Sequence, residues 1–254
     1  MAQRRVRKLG RPVSNRLWNI ELSGYERLPT DGPAILCPNH ISFLDSAFLM
    51  LTVPRNISFV GKAEYMDSWK TKYLFPALGM IPIDRAGGDK SSAALDAAEE
   101  VLQRGELFGI FPEGTRSRNG NLHKGRTGAA RLAMKVDCPI YPVGVVGTDA
   151  IQPPDAKLPK LFAGCQIKIG RPIRPERYRG RGAEHIAWRS MIDEVMFEIR
   201  ELTGQTYVDE YAGAKADTEP TVAARVSSVS DPIPDISPPS EPAVERELSL
   251  VAGN

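Results

Sequence analysis

The sequence contains few of the residues that mark secreted, disulfide-bonded or metal-binding proteins. Its three cysteines (Cys37, Cys138 and Cys165) are odd in number and far apart, so they predict neither a disulfide framework nor a cysteine-based metal site. Histidine is equally scarce, and no histidine lies at ligand spacing from cysteines or acids; the three are His40, His123 and His185. We therefore expect no metal.

Long apolar runs are also missing. No stretch approaches the ~20 apolar residues that a transmembrane helix needs, and no apolar segment follows the basic N terminus as it would in a signal peptide. With 42% hydrophobic and 25% charged residues over 254 positions, the chain resembles a soluble globular protein with one sizeable core. We expect a cytosolic protein that is at most peripheral to a membrane.

The formal net charge of +2 hides an asymmetry along the chain. Residues 1–16 contain six basic residues and no acid, whereas the residues from 211 onward contain seven acids and three basic residues. A basic segment suits an anionic membrane surface, where each charge contributes about 1 kcal/mol of binding. A solvated, disordered start is the alternative. The acidic end is rich in Pro, Ser and Ala without periodicity, which predicts disorder.

Between these ends, short apolar runs alternate with amphipathic segments. The spacing predicts strands at residues 34–37, 57–61, 80–83, 106–111, 139–146 and 166–169. It predicts helices at residues 42–53, 89–104, 127–136 and 182–203. Because most of the strands are apolar on both faces, we expect an α/β fold with a largely parallel central sheet flanked by helices. The expected organisation is a basic N-terminal leader (1–19), one folded domain (20–210) and a disordered acidic tail (211–254).

His40 and Asp45 follow the first of these strands directly. Histidine is the usual general base near neutral pH, and a carboxylate on its far ring nitrogen fixes the tautomer. Residues five apart on a regular helix point about 140° away from each other, so we expect His40 in the turn before the helix and Asp45 on its first turn. Ligands gather at the carboxyl ends of parallel strands, so the position after a buried strand adds support for a catalytic pair; a His and an Asp that are merely close in sequence are the alternative.

Two more strands end in polar residues. Asp84 and Arg85 follow the strand at 80–83, and an arginine suits phosphate through its fork of donors, although a surface ion pair is the alternative. The strand at 106–111 runs into residues 112–117. There Gly114 permits close backbone approach to a ligand, and Arg116 is a candidate phosphate ligand. Glu113 could orient an arginine or bind a substrate hydroxyl.

Cationic residues also precede the helix predicted at 127–136. Lys124 and Arg126 would add positive charge to a helix N terminus, where free N–H groups favour anions; solvated charges are the alternative. The strand at 139–146 contains two prolines in an apolar run, which indicates a packing role. A segment with six basic residues, 168–181, lacks the interleaved aromatic residues of a nucleic-acid site apart from Tyr178, so we expect no nucleic-acid partner.

In order and spacing, four of these blocks resemble the motifs of the glycerolipid acyltransferase superfamily, in its branch of bacterial 1-acylglycerol-3-phosphate (lysophosphatidate) acyltransferases. The His-x4-Asp motif of that family is matched by His40 and Asp45, and its Gly-x-Ile-x-x-x-Arg motif by Gly79, Ile81 and Arg85. Its Glu-Gly-Thr-Arg-Ser motif is present whole at residues 113–117, and its proline-containing strand at 139–142. The resemblance covers about residues 20–205.

The resemblance implies a reaction, a fold and a set of site residues. The reaction is direct transfer of a fatty acyl group from acyl-coenzyme A or acyl carrier protein to 1-acylglycerol 3-phosphate, giving phosphatidate without an acyl-enzyme or a cofactor. The implied fold is the α/β sheet of glycerol-3-phosphate acyltransferase-like proteins. His40 would be the general base and Asp45 its orienting partner. The residues that the resemblance associates with the acceptor are Arg85, Glu113, Gly114, Thr115, Arg116 and, in addition, Lys124.

Attachment to a membrane departs from the family pattern. Many members dock on the bilayer through an N-terminal helical region, but residues 1–19 are too few and too polar for a buried hairpin. The arginines of the leader and the aromatic, basic segment at 64–78 would have to hold the protein at the cytoplasmic face of the cell membrane, without a transmembrane segment. For residues 64–78, packing on the core is the alternative.

Three other functions remain open. A related acyltransferase could use another acceptor: glycerol 3-phosphate, another lysophospholipid or a glycolipid. A serine or cysteine hydrolase could use Ser42 or Cys37 beside His40, although the chain has no Gly-x-Ser-x-Gly nucleophile motif. A non-catalytic lipid-binding protein is disfavoured because both His40 and Asp45 are present.

Overall fold

The computed structural model describes residues 2–62, 76–77, 79–83, 90–153, 156, 158–180 and 182–213. All of them belong to one compact unit, Met1–Thr221. Asp84, Arg85, most of the segment 64–78 and the predicted tail from residue 214 lie outside the described residues.

Six α-helices and nine strands make up the described part of the chain. The helices are α1 (Ala2–Leu17), α2 (Leu44–Thr52), α3 (Lys90–Gln103), α4 (Gly128–Val136), α5 (Thr148–Ile151) and α6 (Glu184–Thr203). The strands are β1 (Asn19–Ser23), β2 (Ala34–Pro38), β3 (Ile57–Lys62), β4 (Met80–Ile83), β5 (Leu107–Gly109), β6 (Leu122–His123), β7 (Ile140–Val146), β8 (Gly164–Ile169) and β9 (Tyr207–Val208). Short 3-10 turns lie at Tyr25–Arg27 and Pro175–Arg177.

Seven of these strands form one sheet in the order β1-β8-β7-β2-β5-β3-β4. Neighbouring strands run parallel except at β7 and β8, which pair antiparallel with Val143 opposite Ile169. The predicted α/β fold with a largely parallel sheet is therefore confirmed. Strands β6 and β9 form a separate two-stranded parallel sheet.

Helices cover both faces of the sheet because alternate residues of a strand point to opposite sides. On the central strand β2, Ile35 and Cys37 pack into a cluster with residues of α3, α4 and α6. Ala34 and Leu36 pack into the opposite cluster, to which α2 contributes Phe48 and which includes residues of β7 and β8. A strand buried on both faces must be apolar at consecutive positions, as β2 is.

The strand predicted at 106–111 is shorter than expected. Only Leu107–Gly109 pairs in register with its neighbours, although the Ile110 amide still donates to the carbonyl of Leu36 at 3.0 Å. The chain then turns, with the Gly114 amide donating to the carbonyl of Phe111 at 3.1 Å. The apolar run therefore continues past the strand into the turn that carries residues 112–117.

Helix α1 is a finding that the sequence did not predict, because Gly10 and Pro12 disfavour a helix interior. It packs on α2, and the side chains of Gln3 and Arg7 donate to the carbonyls of Ile57 (2.6 Å) and Arg55 (2.7 Å). The basic leader is therefore a helix, and the disordered start that was one of its two expectations is wrong, although most of its basic side chains are exposed. None of the helices among the described residues combines the length and hydropathy needed to cross a bilayer.

Candidate active site

Three neighbouring parallel strands, β7, β2 and β5, deliver polar residues to the same edge of the sheet. His40 follows β2, residues 111–116 follow β5, and Thr148 follows β7. Because the carboxyl ends of parallel strands lie at one edge, residues far apart in sequence meet there.

His40 and Asp45 form the hydrogen-bonded pair that their spacing predicted. The Nδ1 atom of His40 lies 2.9 Å from Oδ2 of Asp45. Helix α2 begins at Leu44, so Asp45 is on its first turn and His40 precedes it. Asp45 is fully buried, whereas the His40 side chain is 17% exposed. A carboxylate can only accept, so Nδ1 carries the shared proton and the neutral ring keeps a basic Nε2.

The carboxylate of Asp45 is held by three further donors. Its Oδ2 atom accepts hydrogen bonds from the backbone amides of Ile41 (2.8 Å) and Ser42 (2.9 Å). Its Oδ1 atom accepts a 2.5 Å hydrogen bond from the hydroxyl of Thr148. Sequence reasoning missed Thr148. Its signal was a polar residue directly after a buried strand, but nothing in the sequence indicated which strand lies beside β2.

The imidazole of His40 also lies against an aromatic ring. It stacks on Phe111 with the ring centroids 3.7 Å apart and the planes 16° from parallel. Phe111 in turn contacts Phe59 of β3, with a centroid distance of 5.5 Å. The stacking role of Phe111 was not predicted from the sequence. Asp45 holds the edge of the imidazole through Nδ1 and Phe111 holds its face, so the two residues together fix the orientation of the ring.

Glu113 is completely buried beneath His40. Its Oε1 atom accepts the backbone amide of His40 at 2.9 Å, and its Oε2 atom accepts the backbone amide of His123 at 3.0 Å. The carbonyl of His40 accepts the amide of Ser117 at 2.7 Å. Both chain segments are therefore fixed to the residues after β5. These bonds support a positioning role for Glu113, while its predicted contact with the acceptor stays a prediction.

Gly114, Thr115 and Arg116 line a cavity of about 410 Å³ that also contacts His40. Gly114 has a left-handed backbone (φ +79°), and a Cβ atom there would lie 2.9 Å from Nε of Arg126. The other residues that line the cavity include the apolar side chains of Phe59, Val60, Met80, Leu95, Phe108 and Ile110. The structure thus brings one basic histidine, one arginine and an apolar wall to the same space.

Lys124 is placed differently from the other predicted site residues. Its Nζ atom forms a 2.9 Å ion pair with Asp209 and lies 6.0 Å from the ring centroid of Tyr211. The short sheet of β6 and β9 brings these partners together. Lys124 is not among the described residues that line the cavity around His40. Its predicted role, like that of Arg85 outside the described residues, stays a prediction.

The two candidate nucleophiles near His40 are not placed for attack. Cys37 is fully buried, and burial raises the pKa of its thiol, which keeps the sulfur protonated at neutral pH. Ser42 is fully buried and its hydroxyl donates to the carbonyl of Gln152 at 2.9 Å. Within the described residues, no cluster of three or more His, Cys, Asp or Glu side chains could hold a metal ion. The arrangement suits a base that removes a proton from a molecule in the cavity.

The buried contact between Thr148 and Asp45 makes a prediction about stability. Thr148→Val should lower the free energy of unfolding by about 1–3 kcal/mol, because Oδ1 of the buried carboxylate loses its hydroxyl donor. Urea unfolding followed by circular dichroism measures this change. The matched control is Thr203→Val, whose hydroxyl donates to a helix carbonyl, Ile199 O, and which should cost about 0.5 kcal/mol or less. Equal losses of unfolding free energy in the two variants would contradict the stabilising role of the hydrogen bond from Thr148 to Asp45.

Comparison with known proteins shows a family and its fold. Residues 19–146 match the family model described as Acyltransferase. A solved structure, the 1-acyl-sn-glycerophosphate acyltransferase PlsC from Thermotoga maritima, superposes with a TM-score of 0.64 at 26% identity over 79% of each chain.

Curated relatives are similar over shorter regions. The chloroplastic 1-acyl-sn-glycerol-3-phosphate acyltransferase LPAT1 of Arabidopsis thaliana is 29% identical over 61% of this chain and 44% of its own length. The human 1-acyl-sn-glycerol-3-phosphate acyltransferase alpha is 28% identical over 62% of this chain and 56% of its own length. This chain thus spans about half the length of these relatives.

Proposed function

The chain belongs to the acyltransferase family, and from that premise we propose that it moves a fatty acyl group from an acyl thioester to the free hydroxyl of 1-acylglycerol 3-phosphate, giving phosphatidate. The names of its relatives support this acceptor. The observation that carries the proposal is the His40–Asp45 pair at a cavity with both an arginine and an apolar wall.

In the proposed reaction, His40 acts as the general base. Its Nε2 atom takes the proton of the acceptor hydroxyl while the hydroxyl oxygen attacks the thioester carbonyl. The carbon–sulfur bond then breaks, and the imidazolium returns the proton to the departing thiolate. Asp45 holds the ring in the productive tautomer and stabilises its positive charge, as in hydrolase triads. No covalent enzyme intermediate is needed, which agrees with the burial of Cys37 and with the buried, hydrogen-bonded hydroxyl of Ser42.

The two parts of the cavity suit the two substrates. The apolar wall, to which β3, β4 and β5 contribute, fits a fatty acyl chain, since burying each CH₂ group contributes about 0.8 kcal/mol. The polar rim at Gly114, Thr115 and Arg116 fits the acceptor phosphate. We propose that Arg85 and Lys124 add charge to this rim, as the family motifs imply. The thioester is a co-substrate carried by coenzyme A or acyl carrier protein, and no cofactor is involved.

Purified protein incubated with acyl-coenzyme A and lysophosphatidate tests the proposed reaction. Thiol release and phosphatidate should appear in equal amounts. Thiol release without a lipid product would indicate a hydrolase or a wrong acceptor. Glycerol 3-phosphate, other lysophospholipids and a glycolipid, supplied in the same assay, distinguish the alternative acceptors. Acyl carrier protein thioesters replace acyl-coenzyme A in a parallel series and identify the donor.

Arg116→Ala should raise the KM for the acceptor about 10- to 100-fold, because a hydrogen bond to a charged group is worth about 1.5–3 kcal/mol. The KM for the donor should change little. Steady-state kinetics with each substrate varied in turn measures both constants. Arg118→Ala, in the same loop but outside the cavity lining, is the matched control. A variant that impaired only the donor would exclude Arg116 as a phosphate ligand.

We also propose that the protein works at the cytoplasmic face of an anionic membrane, because its acceptor is a lipid. The charge of α1 supports this: its basic side chains include Arg4, Arg5, Lys8 and Arg11, and all four are solvent-exposed. Nucleic acid is not proposed as a partner.

A further inference from the structure

Large exposed apolar side chains lie mainly in three segments of the described chain: α1, α6 and the loop at residues 158–162, which carries the most. Of the eight large hydrophobic residues that are strongly exposed, Leu9 and Val13 lie on α1, and three more lie in the loop at residues 158–162. In that loop Leu158 is 81% exposed, Leu161 is 52% exposed and Phe162 is 79% exposed. Single exposed hydrophobics are ordinary, but several in one short loop mark an interaction surface.

Hydrogen bonds hold this loop against the C-terminal end of α1. The Phe162 amide donates to the carbonyl of Leu17 at 2.7 Å, and the indole of Trp18 donates to the carbonyl of Lys160 at 2.8 Å. Asn19 donates to the carbonyl of Ala163 at 3.2 Å. Val13 lies about one helical turn and Leu9 about two turns before Leu17, so the exposed residues of α1 follow the helix towards the loop. We call them together the docking surface: the exposed side of α1 and residues 158–162.

Phe162 adopts a backbone conformation that aromatic residues seldom adopt. Its φ angle is +61°, in the left-handed region, where a bulky side chain is strained. The hydrogen bond from its own amide to Leu17 holds it there, with the ring in solvent. A strained backbone that keeps an aromatic ring exposed indicates that the ring contacts another molecule and does not serve the packing of this one.

The two segments that form this surface carry charge of one sign. The exposed basic residues of the docking surface are Arg4, Arg5, Lys8, Arg11, Arg16 and Lys160. Neither residues 2–17 nor residues 158–162 contain an acid. Exposed apolar side chains bordered by basic residues are typical of proteins that lie in the interface of an anionic bilayer.

We propose that the docking surface binds an anionic lipid bilayer, with Leu158, Leu161 and Phe162 inserted at the boundary of headgroups and acyl chains. The proposal rests on the membrane association included in the proposed function, and what it adds to the N-terminal helix is the loop at residues 158–162 as the part that inserts. It also links the membrane to the site. Lys160 donates its amide to the carbonyl of Ile151, the last residue of α5, and α5 begins with Thr148, the hydroxyl donor to Asp45.

Site-specific labelling tests the insertion directly. Cys37, Cys138 and Cys165 are all buried, so a cysteine introduced at the surface can be labelled selectively with an environment-sensitive fluorophore. Phe162→Cys places the label in the loop. Phe197→Cys is the matched control, because Phe197 is 54% exposed on α6, which packs against the opposite face of the sheet. Vesicles of phosphatidylcholine with and without phosphatidylglycerol are added to each labelled full-length protein.

We expect the emission of the label at position 162 to shift to the blue with phosphatidylglycerol vesicles, while the label at 197 stays unchanged. No shift at 162, or equal shifts at both positions, would overturn the proposal. So would a shift at 162 that appears without vesicles, on raising the protein concentration or on adding acyl carrier protein, because the occupant would then be a second copy or the acidic carrier.

Substitutions measure how much each part contributes to binding. Combining Leu158→Ala, Leu161→Ala and Phe162→Gly should weaken vesicle partitioning at least about tenfold. Thermal stability should be retained, because glycine adopts the φ angle of Phe162 without strain. Removing one charge, by Arg5→Gln or Arg16→Gln, should weaken partitioning about fivefold. Arg200→Gln on α6 is the control. Unchanged partitioning of the combined variant would overturn the loop assignment.

Turnover separates this proposal from the proposed reaction. On short-chain lysophosphatidate below its critical micelle concentration, the combined variant should match the unmodified protein. On lysophosphatidate within vesicles it should be slower, in proportion to its weaker binding. The partitioning measurement needs neither donor nor acceptor, so it remains decisive even if the protein transfers no acyl group. Equal turnover on vesicles despite lost binding would contradict the functional role of the surface.

Discussion

His40→Ala is expected to lower turnover about 10²- to 10⁴-fold, the contribution that a positioned general base makes to a proton transfer. The protein should remain folded. The side chain is 17% exposed, and three donors to the Asp45 carboxylate remain when the imidazole is removed. Thiol release and phosphatidate formation, followed together at saturating substrates, measure the loss, and circular dichroism verifies the fold.

His185→Ala is the matched control for this experiment. His185 is exposed near the start of α6, away from the cavity residues, and its removal should leave turnover unchanged. Near-normal turnover of His40→Ala would end the assignment of His40 as the base. An acyl adduct on the unmodified protein, trapped after brief exposure to the donor, would instead support a covalent mechanism and return Ser42 and Cys37 to consideration.

Glu113→Gln is expected to destabilise the protein and to slow turnover together. The carboxylate accepts the buried backbone amides of His40 and His123, and an amide side chain can accept only one of them while its NH₂ group opposes the other. Leaving a buried donor unsatisfied costs about 1–3 kcal/mol, and more where a charged partner is lost. At about 2–4 °C per kcal/mol for a chain of this size, Tm should fall by several degrees.

The same variant distinguishes the two roles of Glu113. A positioning residue affects kcat and Tm, because the backbone that carries His40 loses its anchor. A residue that binds the acceptor hydroxyl affects the KM for the acceptor and leaves Tm unchanged. Thermal unfolding combined with acceptor kinetics separates these outcomes. Glu99→Gln is the control, since it breaks an ion pair with Lys135 at the surface, which is worth about 0–1 kcal/mol.

If the expected results for His40→Ala and Glu113→Gln are both obtained, the site consists of a general base whose ring and backbone are each held by neighbouring residues. Asp45 holds one nitrogen of the imidazole and Phe111 holds one face of the ring. Glu113 and Ser117 hold the backbone. A catalytic side chain fixed in this way loses little entropy when the substrate arrives, which is how positioning contributes to rate.

The sequence by itself determined where most strands of the main sheet lie and how the local part of the site is arranged. A strand buried on both faces must be apolar at successive positions, and such runs located β2, β3, β4 and β7. The contact between His40 and Asp45 joins residues five positions apart, so it depends on one turn and the start of one helix. Such contacts follow from helix geometry and need no knowledge of the neighbouring strands.

Tertiary structure alone decided the contacts that support this pair. Glu113 and His40 are 73 positions apart, and Thr148 and Asp45 are 103 positions apart. These contacts exist because β5 and β7 lie on either side of β2. The hydrophobic pattern of parallel strands shows that the strands are buried, but it does not show their order in the sheet. The docking surface has the same origin. Residues 158–162 meet α1 only because β1 and β8 are neighbours at one edge of the sheet, a pairing that no local pattern encodes.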